Sequence, residues 1–305
     1  MPAKVFITGA TGYLGSAIAA RFVRAGLEVH GLTRNEEGGR TLAALGVKGV
    51  LGDLARAETF LPILKNCDIA VHVAFDPKSP ASQDQHALEA FKAAAQDGRV
   101  RRLLYTSGVW DYGATGGEVA DEGVAMNPLP LVKWRVSHHD VAFDLAEHEV
   151  KVSILQPTVV YGETRGILGG WFAMARAKQS LSYPGDGAQH WGMIHRDDLA
   201  EGYALALEHG AHGERYILTD GSELSVREIA ESIARATGAA AKPWPAEEVL
   251  AKLGTYGEAL LCDQRVSAGK ARRELGWVPR HLSFVAEVDA LYRKWQAGQK
   301  AAVSG

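Results

Sequence analysis

Cysteine is nearly missing from this chain: Cys67 and Cys262 are the only two among 305 residues. Two thiols cannot build a disulfide framework or a zinc knuckle, and they fit a reducing compartment. An excess of one charge is missing as well. The formal net charge of −3 gives no general attraction to nucleic acid or an acidic membrane. The basic cluster Arg99, Arg101 and Arg102 is short, precedes an expected strand, and reads as solvated surface. No apolar stretch approaches the ~18 residues of a membrane span. No charged leader of the signal-peptide kind precedes the first strand. The expectation is a soluble, cytoplasmic protein with neither nucleic acid nor membrane as partner. What the chain does have is apolar bulk. A hydrophobic content of 47% can fill one large domain or two closely packed ones.

The most informative stretch is Val5 to Gly15, V-F-I-T-G-A-T-G-Y-L-G. An apolar, β-branched run breaks at Gly9, Gly12 and Gly15, and a helical apolar pattern follows. This is a strand feeding a glycine turn that opens a helix. Gly9 permits the sharp turn, Gly12 admits a pyrophosphate to the backbone, and Gly15 lets helix and strand pack closely. The helix N-terminus offers free N–H groups and partial positive charge to phosphates. A dinucleotide is the expected ligand, with Gly9, Thr11, Gly12, Tyr13 and Leu14 around it.

Strand patterns at Lys4–Thr8, Glu28–Thr33, Gly49–Leu51, Ile69–Ala74, Arg102–Ser107 and Lys151–Gln156 alternate with amphipathic stretches. The helical stretches are Leu14–Ala25, Gly38–Leu45, Thr59–Asn66, Gln83–Gln96 and Leu131–Glu147. This rhythm predicts an α/β fold, a doubly wound parallel (Rossmann) sheet whose ligands bind beyond the strands' carboxyl ends. After Pro157 the rhythm changes to glycine-rich and loop-like sequence. A small C-terminal substrate lobe is expected from about 158–192 and 221–297. The dinucleotide domain then takes 1–157 plus about 193–220, where the helix Asp198–His209 returns to the sheet. The tail Gly298–Gly305 reads as frayed.

A carboxylate at the end of the second strand normally holds the adenosine ribose of NAD. Here the strand ends in Thr33, and Arg34 follows. A guanidinium pairs with a 2′-phosphate, whereas a carboxylate repels it. NADP(H) is therefore expected ahead of NAD(H). Asp53, beside Leu54, either accepts from the adenine amino group or caps a helix. The small residues Val73 and Ala74, followed by Phe75, let the cofactor lie close to the strand end.

These segments resemble the short-chain dehydrogenase/reductase superfamily, in its extended, NAD-dependent epimerase/dehydratase-like branch. The resemblance runs through Thr8–Gly15, Gly52–Leu54, Val71–Ala74, Leu104–Ser107, Gln156–Gly162, Gly185–Gly187, Ile194–Ala200 and Leu275–Pro279. It implies cofactor contacts for Thr106, Gln156, Pro157, Thr158 and Val159. It also implies a Tyr-x-x-x-Lys helix and a Ser or Thr after the fifth strand, for acid–base work beside a hydride donor.

The chain departs from that pattern. Aligned with the family, Pro130–His139 puts Trp134 in the Tyr place and His138 in the Lys place. No Tyr occurs between Gly113 and Val160. Gly108 takes the usual hydroxyl position, with Ser107 just before it. An indole N–H donates but does not titrate. Tyr112, His138, His139 or water must then supply a proton, with Ser107, Tyr112, Trp134 and His138 as the candidate reacting residues. Trp134 is expected as a pocket wall, and His138 as a ribose contact. His139 points about 100° away from His138, so it is expected to face elsewhere.

Trp191 stands where nucleotide-sugar members carry a pyrophosphate-binding Arg. Trp110, Tyr112, Trp134, Tyr161, Trp171, Phe172, Trp191 and Met193 surround the expected pocket or pack between lobes. The leading expectation is reduction or oxidation of a small apolar or aromatic carbonyl/alcohol compound. The alternatives are a nucleotide-sugar-type epimerase/dehydratase, or a cofactor-binding sensor without turnover. A homodimer is compatible with this sequence. His195, Asp197 and Asp198 read as a structural corner, with Asp198 capping the next helix, and no metal is expected.

Overall fold

The computed structural model describes residues 2–304. Seven strands form the main sheet: β1 (Lys4–Thr8), β2 (Glu28–Thr33), β3 (Lys48–Leu51), β4 (Ile69–His72), β5 (Arg102–Thr106), β6 (Lys151–Pro157) and β7 (Glu214–Leu218). All are parallel, in the order β7-β6-β5-β4-β1-β2-β3. The order reverses between β1 and β4, where crossovers leave to opposite faces and open a crevice.

The strands are apolar on both sides because both faces are covered. Val5 and Ile7 enter one core with Ile18, Phe22, Leu104, Leu155 and Tyr203. Phe6, between them, enters the other with Phe60, Phe91, Tyr105 and Ile154. Helices α1 (Tyr13–Arg24), α2 (Glu36–Ala43), the short α3 (Leu61–Leu64), α4 (Pro80–Gln96) and α5 (Lys133–Phe143) lie between the strands of the first half.

In the second half, α6 (Gly166–Lys178) and α7 (Arg196–His209) precede β7. Then follow α8 (Val226–Thr237), α9 (Ala246–Leu253), α10 (Thr255–Leu261), α11 (Gly269–Leu275) and α12 (Phe284–Ser304). The strand Val159–Tyr161 pairs with Met193–His195, just beyond the carboxyl end of β6. A third core gathers Trp171, Phe172, Trp191, Ile229, Tyr292 and Trp295. Phe172 stacks on Tyr292 at 5.4 Å. Part of the expected aromatic pocket is thus lobe packing.

Four local expectations need correction. Arg102 is buried, not solvated: its guanidinium donates to Ala206 O, Gly210 O and Ser153 Oγ, satisfying the carbonyl end of α7. The stretch around α11 lies within 221–297, yet Ala271, Leu275 and Trp277 fill the core of the sheet. Asp198 does not cap α7. His195 does, accepting from Asp197 N, while Asp198 Oδ2 accepts from His281 N. The chain from Gly298 to Ser304 continues α12 rather than fraying, and Gly298 packs against Thr164. Gly305 lies outside the described residues.

Candidate active site

The glycine turn is required by packing. Gly9 has φ 69°, and a Cβ there would lie 2.7 Å from Ala74 Cα. A Cβ on Gly15 would lie 2.2 Å from Gly9 O. Gly12 caps α1 without a side-chain bond, and no acidic residue stands in the first turn. An uncapped helix N-terminus, at the crevice between β1 and β4, fits a pyrophosphate. Tyr13 ties this turn to the second half of the chain: its hydroxyl donates to Gly162 O at 2.6 Å, and Arg196 Nε donates to Tyr13 O at 2.7 Å. Burial pushes the Tyr13 hydroxyl well above its ordinary pKa.

Arg34 is exposed just after β2, and Asn35 caps α2 by accepting from Gly38 N. Asp53 Oδ1 accepts from Ala55 N in a turn. The next helical segment, Ala57–Thr59, starts from Arg56, so Asp53 does not cap it.

Asp84 of α4 is a buried hub. His72 Nε2 lies 2.9 Å from its Oδ1, His138 Nδ1 2.7 Å from its Oδ2, and Tyr105 OH donates to Oδ2 at 2.8 Å. Thr8 Oγ1 lies 2.7 Å from His72 Nδ1, so the hub connects β1 to α5. Thr106 Oγ1 donates to His72 O at 2.5 Å. Burial alone would raise the Asp84 carboxyl; the two histidines and Tyr105 outweigh it and hold the carboxyl below the usual range. Trp134 packs edge-on to His138 at 5.1 Å, and the Arg135 guanidinium lies over the Trp134 ring at 4.9 Å.

A cavity of about 320 Å³ opens beyond β5 and β6. Tyr13, Leu14 and Phe75 line it from the cofactor side, and Pro157, Thr158 and Val159 from the end of β6. Trp110, Val132, Ile167 and Trp191 add apolar wall. From the α5 region the lining residues are Leu131, Val132 and Arg135; Trp134 and His138 are not among them. The helix turns toward the cavity the face one residue on from the expected pair.

The cavity wall after β5 is built on a buried polar network. Ser107 Oγ donates to Asp111 Oδ2 at 2.6 Å, and Gln156 Nε2 donates to the same oxygen at 3.0 Å. His139 Nε2 lies 2.9 Å from Ser107 Oγ. Tyr112 OH donates to Gln156 Oε1 at 2.8 Å. Ser107 and Asp111 line the cavity, whereas Tyr112 and Gln156 stand behind them. Burial pushes the Tyr112 hydroxyl up to about 12. Burial, with Arg215 and Arg135 nearby, pushes the His139 imidazole down to about 3. Burial raises the Asp111 carboxyl despite its bonds from Ser107 and Gln156. Asp111 Oδ1, Arg135 Nε and Trp191 Nε1 are buried without hydrogen-bond partners.

The sequence reading therefore missed Asp111 and Arg135. The signal for Asp111 was a lone carboxylate between Trp110 and Tyr112. His139 reaches Ser107, where it was expected to face elsewhere. At the corner before α7, ligand atoms of His195, Asp197 and His281 lie within 4.8 Å of one another. The two imidazoles stack at 3.7 Å, and each Nδ1 already has a neighbour, Asp197 N or Glu287.

Residues 5–218 match the NAD dependent epimerase/dehydratase family. The chain belongs to that family. It is an NAD(P)-dependent enzyme of the extended short-chain dehydrogenase/reductase type. It is 28% identical over 292 residues to an uncharacterized protein of Schizosaccharomyces pombe, covering 93% of this chain and 98% of that one. It is 26% identical over 343 residues to the 4-hydroxy-2-methyl-3-oxo-4-farnesyl-3,4-dihydroquinoline-1-oxide ketoreductase of Stigmatella aurantiaca, with 98% of each covered. The dTDP-glucose 4,6-dehydratase of Streptomyces venezuelae, solved with NAD and TYD bound, matches with a TM-score of 0.83. That match covers 97% of this chain and 98% of the other at 21% identity, a likeness of fold.

Proposed function

We propose that this enzyme is an NADP(H)-dependent oxidoreductase interconverting a small apolar carbonyl compound and its alcohol, with a proton donor other than the family's helix tyrosine. The observation that carries this reading is the cavity. Its lining is mainly aromatic and aliphatic, and Arg135 is the single cation among the described residues that line it. A nucleotide-sugar pyrophosphate calls for several cationic or N–H donors at that place. An apolar ketone needs apolar wall and one or two polar groups at its oxygen. The ketoreductase relative, named for an oxo compound with a farnesyl chain, agrees with such a substrate.

The reduced nicotinamide supplies hydride when bound. Gly9, Thr11 and Gly12 would hold its pyrophosphate, with Tyr13 and Leu14 beginning the helix beneath. Arg34 would pair with the 2′-phosphate, and Asp53 and Leu54 would border the adenine. Val73, Ala74, Phe75 and Thr106 would flank the cofactor, with Pro157, Thr158 and Val159 at its nicotinamide end and Gln156 behind them. His138, anchored through Nδ1 on Asp84, keeps Nε2 for a ribose hydroxyl. Ser107 would meet the substrate oxygen.

Fluorescence titration and a turnover panel test this reading. NADPH should bind more tightly than NADH, and the preference should disappear in Arg34→Ala. Wild type should consume NADPH with hydrophobic ketones. Equal affinity for both cofactors, unchanged in Arg34→Ala, contradicts the cofactor assignment. Redox-neutral conversion of a nucleotide sugar without ketone reduction supports the epimerase/dehydratase alternative. Tight cofactor binding with no turnover supports a sensor.

A further inference from the structure

We propose that Asp111 is the catalytic acid of this site, with the proton carried on Oδ1 and delivered to the substrate's oxygen. This rests on the carbonyl-reductase reading above. The donor set is lopsided: Ser107 Oγ–H and the Gln156 amide both point at Oδ2. Oδ1 is buried without a partner on a residue that lines the cavity. An ionised carboxylate in that setting leaves one oxygen charged and unsolvated. A protonated one places its donor on the bare oxygen and keeps the accepting oxygen where two donors already meet it.

Burial outweighs Arg135 and the Gly108 N–H, which favour the charged form of Asp111. His139 Nε2 lies 3.5 Å from Asp111 Oδ2, but burial keeps the imidazole neutral. Arg135, also on α5, directs Nη1 to Thr106 O at 3.0 Å rather than to Asp111. Tyr105 on β5 and Tyr112 beside Asp111 stay uncharged, since burial raises both hydroxyls. Burial shifts Asp111 itself toward its neutral form. Carboxylic acids kept neutral by apolar surroundings can donate hydrogen bonds near pH 7.

The step balances. With hydride supplied by the bound reduced cofactor, the carbonyl carbon would gain its new C–H bond. The carbonyl π pair moves to oxygen, which takes the proton from Asp111 Oδ1. The products are the alcohol, the oxidised nicotinamide and the Asp111 carboxylate. Ser107 and Gln156 hydrogen-bond that carboxylate until water returns a proton as product leaves. Tyr112 is a positioning residue, fixing Gln156 through its Oε1.

Two measurements test this. In cofactor-free protein labelled with ¹³C at the aspartate carboxyl, one aspartate should be protonated at pH 7. Its signal should be absent in Asp111→Asn and displaced in Ser107→Ala. No protonated aspartate, or one unaffected by Ser107→Ala, overturns the proposal even if Asp111→Asn does not fold. In single turnover with NADPH and a hydrophobic ketone, Asp111→Asn should slow reduction by about 10²–10⁴-fold with NADPH affinity unchanged. It should also lose the fall in rate at high pH. A full rate in Asp111→Asn overturns Asp111 and leaves the reductase reading standing. A wild type inert toward every ketone overturns the reductase reading, and the catalytic role of Asp111 with it.

Discussion

The two ends of the crevice are built from different materials. The cofactor end is backbone: Gly9, Gly12 and Gly15 within one short segment, held by contacts a Cβ would break. The proposed reacting end is side chain. Ser107 and Asp111 follow β5, Gln156 ends β6 and His139 sits on α5, so the four meet only because these three segments pack together. Binding a phosphate needs N–H groups and room, which a local motif provides. Moving a proton needs a titratable group in a tuned environment, which tertiary packing provides.

Asp84 stands between the two ends, and removing it tests whether they depend on each other. Asp84→Ala strands His72, His138 and Tyr105 without their buried carboxylate. It should lower stability by about 3–5 kcal/mol in chemical denaturation. A loss below about 1 kcal/mol would show that the two ends are independent.

Gly15→Ala attacks only the backbone end. The added methyl would meet Gly9 O at 2.2 Å. Overpacking against backbone should cost on the order of 3 kcal/mol, read as weakened cofactor binding and a lowered melting temperature. Unchanged cofactor affinity would contradict the turn's assigned role.

Arg34→Ala should weaken NADPH binding by about 1.5–3 kcal/mol and leave NADH nearly untouched, by calorimetry. Equal losses for both cofactors would mean that Arg34 acts through general charge.

The effect that vanishes near neutral pH belongs to the buried network. His139 ordinarily titrates near 6.5 and is pushed down to about 3 in the fold. Its contribution to stability is therefore complete above about pH 6.5 and is lost as pH falls toward about 3. The slope from this group is at most about 1.4 kcal/mol per pH unit. His139→Gln should flatten the acid side of the stability profile relative to wild type. Identical profiles would place the imidazole outside the buried network.

The same contrast explains what could be read from the chain. Lys4–Thr8 and Glu28–Thr33 are strands with the expected bounds, since apolar β-branched runs between turn residues are local signals. Strand β7, Glu214–Leu218, was not anticipated: five residues with two charged or polar members at their start carry little periodic signal. α6 was hidden by its glycines, although Gly169 is there because Thr164 O lies 2.5 Å from its would-be Cβ. The family resemblance pointed to α5, which borders the cavity through Arg135. It could not tell that Arg135, rather than Trp134, lines the cavity, because a shift of one residue turns a helix by about 100°. Nor could spacing reveal that Tyr112 hydrogen-bonds Gln156 and that its neighbour Asp111 is among the residues lining the cavity.

The most direct test of the account is a crystal structure of the enzyme with NADP⁺ and an unreactive alcohol or ketone analogue of a substrate it reduces. The account predicts the analogue's oxygen within about 3.2 Å of Asp111 Oδ1, with Ser107 Oγ beside it and the apolar body against Trp110, Val132 and Trp191. An oxygen held by Trp134 or His138, with Asp111 shielded from the ligand, would contradict it.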